Sequence, residues 1–125
     1  MATIEEIDEA TNTLARYGCS KFALLKCTST YPSDPKDSNI LTIPELKKKY
    51  NCEVGISDHT LGIGVSIAAV ALGATIIEKH ITLNKNDGGI DSKFSLEPNE
   101  FSSLIKESYR AWVSLGRINY GPVKN

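Results

Sequence analysis

Cysteine is sparse in this sequence and its spacing is unpaired. Cys19, Cys27 and Cys52 are separated by 8 and 25 residues, with no C-x-x-C pair. That excludes a disulfide framework and a zinc ribbon, and leaves three reduced, mostly buried thiols. No apolar run approaches the roughly 20 residues of a membrane-spanning helix. No basic-then-apolar start resembles a signal peptide. Neither sign of charge dominates: 14 Lys/Arg stand against 15 Asp/Glu, a net charge of −1, so no global field favours nucleic acid or anionic lipid. Neither G-x-G-x-x-G nor G-x-x-x-x-G-K-[ST] occurs, and the pair Gly62 and Gly64 lacks the rest of either motif. What is present is ordinary: 125 residues, 41% apolar and 23% charged. That composition excludes a disordered tail or a collagen-like repeat, and the expectation is one soluble cytoplasmic domain.

Segments alternate along the chain. Thr3-Ile4-Glu5-Glu6 fits a capping box, and Ile4, Ile7, Leu14 and Tyr17 follow a helical spacing up to Gly18, predicting a helix over 4–17. Phe22-Ala23-Leu24-Leu25 is too brief for a helix and reads as a buried strand. After the turn formers of 30–35, Thr42-Ile43-Pro44-Glu45 reads as a second capping box, opening a short helix that stops at Asn51. A strand over 53–57 follows, then a largely buried helix over 63–72 that ends at Gly73, then a strand over 75–81. A polar loop holding Gly88-Gly89 leads to a last helix from Glu97-Pro98 to Leu115. Its stripe of Phe101, Leu104, Ile105, Tyr109 and Trp112 reads as core packing. Strands separated by single helices are parallel with right-handed crossovers, so the class is α/β. Three strands leave two open edges. The chain therefore reads as a piece of a larger α/β body, or as a domain that pairs its edges with another copy.

Functional side chains of parallel α/β folds gather at the C-terminal ends of strands. Here those ends are polar: Cys27-Thr28-Ser29-Thr30-Tyr31, Ser57-Asp58-His59-Thr60 and Glu78-Lys79-His80. Alternation puts Ser57 and His59 on one face, and Glu78 and His80 on one face of the next strand. Neighbouring strands lie about 4.8 Å apart, so the two histidines, 21 residues apart, reach matching levels. Two imidazoles so placed can share a divalent ion at about 2.0–2.2 Å, with carboxylate, water or substrate oxygens completing its shell. Structural duty as hydrogen-bonded strand-end residues is the level alternative. Glu78 in an apolar strand favours a wet site over a core role. Asp58 reads first as a cap for the following helix, Ser29 and Tyr31 serve equally as turn residues, and Lys79 faces the helix layer without an evident purpose. Metal-binding imidazoles must be neutral, so affinity should fall as pH drops through roughly 6.5.

These strand ends resemble a known family. Cys27-Thr28-Ser29-Thr30-Tyr31-Pro32, Gly55-Ile56-Ser57-Asp58-His59-Thr60-Leu61-Gly62, Ala69-Val70-Ala71-Leu72-Gly73-Ala74 and Ile77-Glu78-Lys79-His80 are similar to the sialic acid synthases. The resemblance spans nearly the whole chain. Asp87-Gly88-Gly89-Ile90-Asp91-Ser92-Lys93-Phe94-Ser95-Leu96-Glu97-Pro98 and the tail with Trp112, Gly116 and Tyr120 look most like pseudaminic acid synthase. The resemblance implies a transferase that joins phosphoenolpyruvate to an open-chain acetamido sugar, giving a nonulosonic acid and releasing phosphate. Pseudaminic acid is favoured over N-acetylneuraminic or legionaminic acid. It also implies a TIM (β/α)8 barrel, of which residues 1–125 supply the C-terminal portion, a helix and the last three β/α units. By the same resemblance His59 and His80 are metal ligands, for manganese, magnesium or a similar divalent ion. Ser29, Tyr31 and Ser57 contact phosphoenolpyruvate, and Glu78 and Asp91 contact the sugar. The implied protein is a cytoplasmic homo-oligomer, and the isolated piece is expected to be inactive. The alternative from a different class is a non-catalytic α/β module that pairs its open sheet edges with itself or a partner.

Overall fold

The computed structural model describes residues 1–122. Helix α1 (Ile4–Arg16) starts where its sequence requires. The Thr3 hydroxyl accepts from the Glu6 amide at 3.3 Å, and the Glu6 carboxylate accepts from the Thr3 amide at 2.6 Å. Three parallel strands follow, β1 (Ala23–Cys27), β2 (Glu53–Asp58) and β3 (Ile77–Lys79), in the spatial order β1-β2-β3. Helices α2 (Thr42–Tyr50) and α3 (Gly64–Ala71) are the crossovers, and α4 (Pro98–Ser114) packs on α3. The α/β class expected from the alternation is what the chain adopts.

Register decides which residues work together. Leu24 pairs with Val54, and Lys26, Ile56 and Ile77 form a row on the same face. That face carries the core, where Val54 and Ile56 meet Ile43 and Leu46 of α2, Ala69 of α3 and Ala74. Each fully buried branched side chain contributes about 1.5–3 kcal/mol. On the opposite face Cys27, Ser57 and Glu78 form the corresponding row, one residue along. The helices thus cover one side of the sheet, and Cys27, Ser57 and Glu78 lie on the other.

Gly55 sets how closely β2 approaches the start of β3. A Cβ added there would stand 2.3 Å from the Ile76 carbonyl oxygen and 2.7 Å from the Ile76 Cβ. The same carbonyl accepts from the Ile56 amide at 2.9 Å. Gly55→Ala therefore forces the two chains apart. It is expected to destabilise by about 1–3 kcal/mol or more and to lower the thermal midpoint by about 5 °C or more. An unchanged midpoint would contradict this close approach.

Several expectations are corrected. The second capping box does not form: α2 has Leu41 at its N-cap with no side-chain bond. The chain is already turning before Thr42, through Asn39 in the left-handed region (φ 44°) and the bonds Thr42 N–H to Asn39 O and Ile43 N–H to Ile40 O. Helix α3 buries only Ser66, Ala69 and Val70, because α4 and the sheet cover part of its circumference. The stripe on α4 is not core: Leu104 is buried, but Tyr109 and Trp112 are 64% and 62% exposed, since no described element packs over them. All three cysteines are free and half-buried rather than buried, at element ends and in β1, the edge strand. The first strand runs two residues further than expected, to Cys27, and the third is shorter, ending at Lys79. After β3 the chain returns: the Leu96 amide donates to the His80 carbonyl at 2.8 Å, and the Thr82 amide donates to the Leu96 carbonyl at 2.9 Å. This short parallel contact, unforeseen in the sequence, brings Phe94 back to the strand ends.

Candidate functional site

The two histidines emerge from β2 and β3 on the same side of the sheet, with ring centres 5.3 Å apart and planes inclined by 64°. His59 is 6% exposed, and its Nδ1 lies 3.0 Å from the Thr28 carbonyl oxygen. A carbonyl only accepts, so Nδ1 carries the proton and Nε2 is left as the free lone pair. Tyr31 lies against His59 with ring centres 4.3 Å apart. Phe94, buried, lies 5.1 Å from the His80 ring and 5.6 Å from Tyr31. Asp91 approaches His80 from the loop, with Oδ2 3.5 Å from Nδ1. A carboxylate beside one ring nitrogen orients the imidazole and leaves the other nitrogen for a ligand.

One layer below, the Ser57 hydroxyl donates to Glu78 Oε1 at 2.6 Å, across the β2–β3 register. Glu78 is exposed on the open face, so its charge stays solvated, and Ser57 fixes one of its oxygens. Ser29 is exposed, its Oγ 3.6 Å from Cys27 Sγ, which in turn lies 3.9 Å from His59 Nδ1. The structure thus gathers Tyr31, His59, His80 and Asp91 into one cluster and Ser57 with Glu78 into a second beneath it. Ser29 stands to the side, at the end of β1.

The donor set is compatible with one divalent ion. Two imidazoles at neighbouring strand ends with ring centres 5.3 Å apart, and the Asp91 carboxylate beside one of them, are nitrogen and oxygen donors of the kind a divalent ion takes. Among the described residues no group of three or more His, Cys, Asp or Glu is placed to hold a metal. Remaining positions would therefore belong to water or substrate oxygens, as open catalytic sites require.

Sequence reasoning missed the cluster on the far side of the same strand ends. Asp58 is not a helix cap: α3 has Ile63 at its N-cap without a side-chain bond. Instead the Asp58 carboxylate meets the Lys79 ammonium at 3.0 Å, with 0% and 1% of the two side chains exposed. Asp58 also accepts from the Thr60 amide at 2.8 Å, the Thr60 hydroxyl at 2.7 Å and the Ser66 hydroxyl at 2.6 Å. Burial pushes against its ionisation, but the Ser66 and Thr60 bonds and Lys79 outweigh it, holding the carboxyl below its ordinary range. The available signal was the identical placement of two opposite charges, each one residue before a histidine.

Parallel β/α units with a helix layer on one face and a polar C-terminal rim define a TIM-barrel-type α/β fold. The chain belongs to the NeuB family, which it matches over residues 1–120. It is 44% identical over 118 residues to an N,N'-diacetyllegionaminic acid synthase of Campylobacter jejuni, covering 93% of this chain and 35% of that protein. It is 42% identical over 116 residues to a pseudaminic acid synthase of Campylobacter jejuni, covering 93% and 34%. Among solved structures, the N-acetylneuraminic acid (sialic acid) synthetase of Leptospira borgpetersenii serovar Hardjo-bovis, in complex with citrate, superposes with a TM-score of 0.90. Identity is 39%, covering 98% of this chain and 43% of that one. The chain spans about a third of the length of the curated relatives it matches. No helix among the described residues is long and apolar enough to cross a membrane.

Proposed function

We propose that this chain is the C-terminal part of a nonulosonic acid synthase barrel, contributing its last three β/α units and a divalent-metal site made by His59 and His80. The observation that carries the reading is the pair of imidazoles at neighbouring strand ends, 5.3 Å apart, in a member of this family. The reaction joins C3 of phosphoenolpyruvate to the aldehyde carbon of an open-chain acetamido sugar. The aldehyde oxygen gains a proton, water adds at C2, and phosphate leaves by C–O cleavage. A divalent ion, manganese or magnesium, supplies Lewis acidity toward the aldehyde oxygen when bound.

The chain's own residues supply placement. His59 and His80 present ligand nitrogens, His59 with its tautomer fixed by the Thr28 carbonyl. Glu78, steadied by Ser57, and Asp91 accept from sugar hydroxyls, which is positioning rather than proton transfer. Ser29 and Tyr31 offer hydroxyls to phosphoenolpyruvate, and Ser57 does so by turning its one proton from Glu78 to the incoming anion. The stretch 87–98 supports pseudaminic acid as the product, although a legionaminic acid synthase is as similar overall. We place the protein in the cytoplasm, where phosphoenolpyruvate is made, and expect a homo-oligomer.

Unfinished surfaces support the partial-barrel reading. A groove of about 680 Å³ runs along the open edge of β1, lined by Ile7, Leu24, Leu25, Lys26 and Leu46 among others. Lys26 lies there with its ammonium donating to the Cys27 carbonyl and the Thr28 hydroxyl at 3.2 Å each, and burial pulls its pKa below the usual lysine value. Neighbouring β/α units would cover this edge and the exposed Tyr109 and Trp112. The test mixes this chain with the remaining barrel units of a relative and assays phosphate release from phosphoenolpyruvate and sugar. Release by the mixture, and by neither part alone, is expected. An assembled complex that releases none contradicts the reading.

A further inference from the structure

Asp58 and Lys79 each precede a histidine of the candidate metal site, and they are direct partners in the β2–β3 register. They are also the last residues of their strands: β2 ends at Asp58 and β3 at Lys79. Beyond that point the His80 carbonyl turns away to the Leu96 amide. Regular ladder pairing between β2 and β3 therefore stops before it reaches the two imidazoles. What ties the strand ends together is the side-chain pair on the opposite face, at 3.0 Å and almost fully buried. Lys79 also donates to the Thr60 carbonyl at 2.6 Å, while Asp58 holds the Thr60 amide and hydroxyl. His59 thus sits between two residues, Asp58 and Thr60, that are both pinned to Lys79 of β3. Ser66 anchors the same carboxylate to α3.

Resting on the reading of His59 and His80 as a shared cation site, we propose that the Asp58–Lys79 pair is a positioning device that sets the spacing of the two imidazoles. Mere stabilisation is a weaker account, because a buried ion pair does not generally outperform an apolar pair of similar volume. A directional contact is what a two-ligand site needs, since a displacement of about 1 Å is enough to spoil it. Neither side chain touches the cation; both act through the backbone of the residue that does.

The test uses the double variant Asp58→Asn with Lys79→Met, which removes both charges and keeps hydrogen-bonding groups at position 58 for Thr60 and Ser66. Leu104→Ala, in buried α4 packing beside Ile77 at the start of β3, is the control for loss of stability alone. Manganese affinity is measured by calorimetry, thermal midpoints are recorded, and the ring-proton contact between His59 and His80 is followed by NMR without metal. The double variant is expected to fold, to bind manganese about tenfold or more weakly, and to lose the ring contact. Leu104→Ala is expected to keep both at an equal or lower midpoint. A double variant that keeps the ring contact and binds manganese within twofold of the wild type overturns the proposal. If the wild type binds no manganese, the cation reading fails separately, and the ring contact alone decides the positioning role.

Discussion

His59→Ala is expected to weaken manganese binding on the order of a hundredfold or more, read by calorimetric titration at pH 7.5. The scale follows from chemistry: disturbing an outer-shell partner already costs about 10–100-fold, and the substitution would remove one of the two proposed ligands outright. His80→Ala should do the same. Glu78→Gln is the contrast, because Glu78 pairs with Ser57 below the rings and is assigned to the sugar, so its loss should leave manganese affinity near the wild-type value. Folding should survive in His59→Ala. The buried Thr28 carbonyl loses its donor, which costs about 1–3 kcal/mol, so the midpoint should fall by about 5–10 °C. Full manganese affinity in the folded His59→Ala protein would remove the two-histidine site.

Lys79→Met should carry the largest cost in stability, about 3–5 kcal/mol. The substitution leaves a fully buried Asp58 carboxylate without its counter-charge and the Thr60 carbonyl without its donor. For a domain of this size that corresponds to a fall of about 10 °C or more in the thermal midpoint. Acid adds a second signature. The Asp58 carboxyl is held below its ordinary range in the folded protein. Its contribution is therefore present above about pH 3.9, the unfolded value, and is lost as pH falls through the lower folded value. Without Lys79 the buried carboxyl favours its neutral form, so lowering the pH should relieve part of the variant's destabilisation and narrow its gap to the wild type. A variant midpoint within about 2 °C of the wild type would show that the pair contributes little.

Sequence periodicity exposed the architecture because the signals are local. Thr3 with Glu6, Gly18 after α1 and Asn51 after α2 act within one turn of chain, and each stands where expected. The strand ends were legible for a related reason: alternation is fixed by the pleat, so Ser57 with His59 and Glu78 with His80 follow without tertiary knowledge. What stayed hidden depends on contacts between distant segments. The Asp58–Lys79 pair needs the β2–β3 register, which local pattern does not supply. Phe94 reaches His80 only because Leu96 pairs with the end of the third strand. Tyr109 and Trp112 mislead in the opposite sense: a helical apolar stripe shows that a face wants covering, not that a described segment covers it.

Crystals of the chain soaked in manganese, with anomalous diffraction recorded at the metal edge, test the central claim most directly. One strong peak is expected within about 2.3 Å of both the His59 and His80 ring nitrogens that point into the shared space. A peak held by only one ring, or none near either while the metal binds elsewhere, would contradict a site gripped by the ends of the two strands.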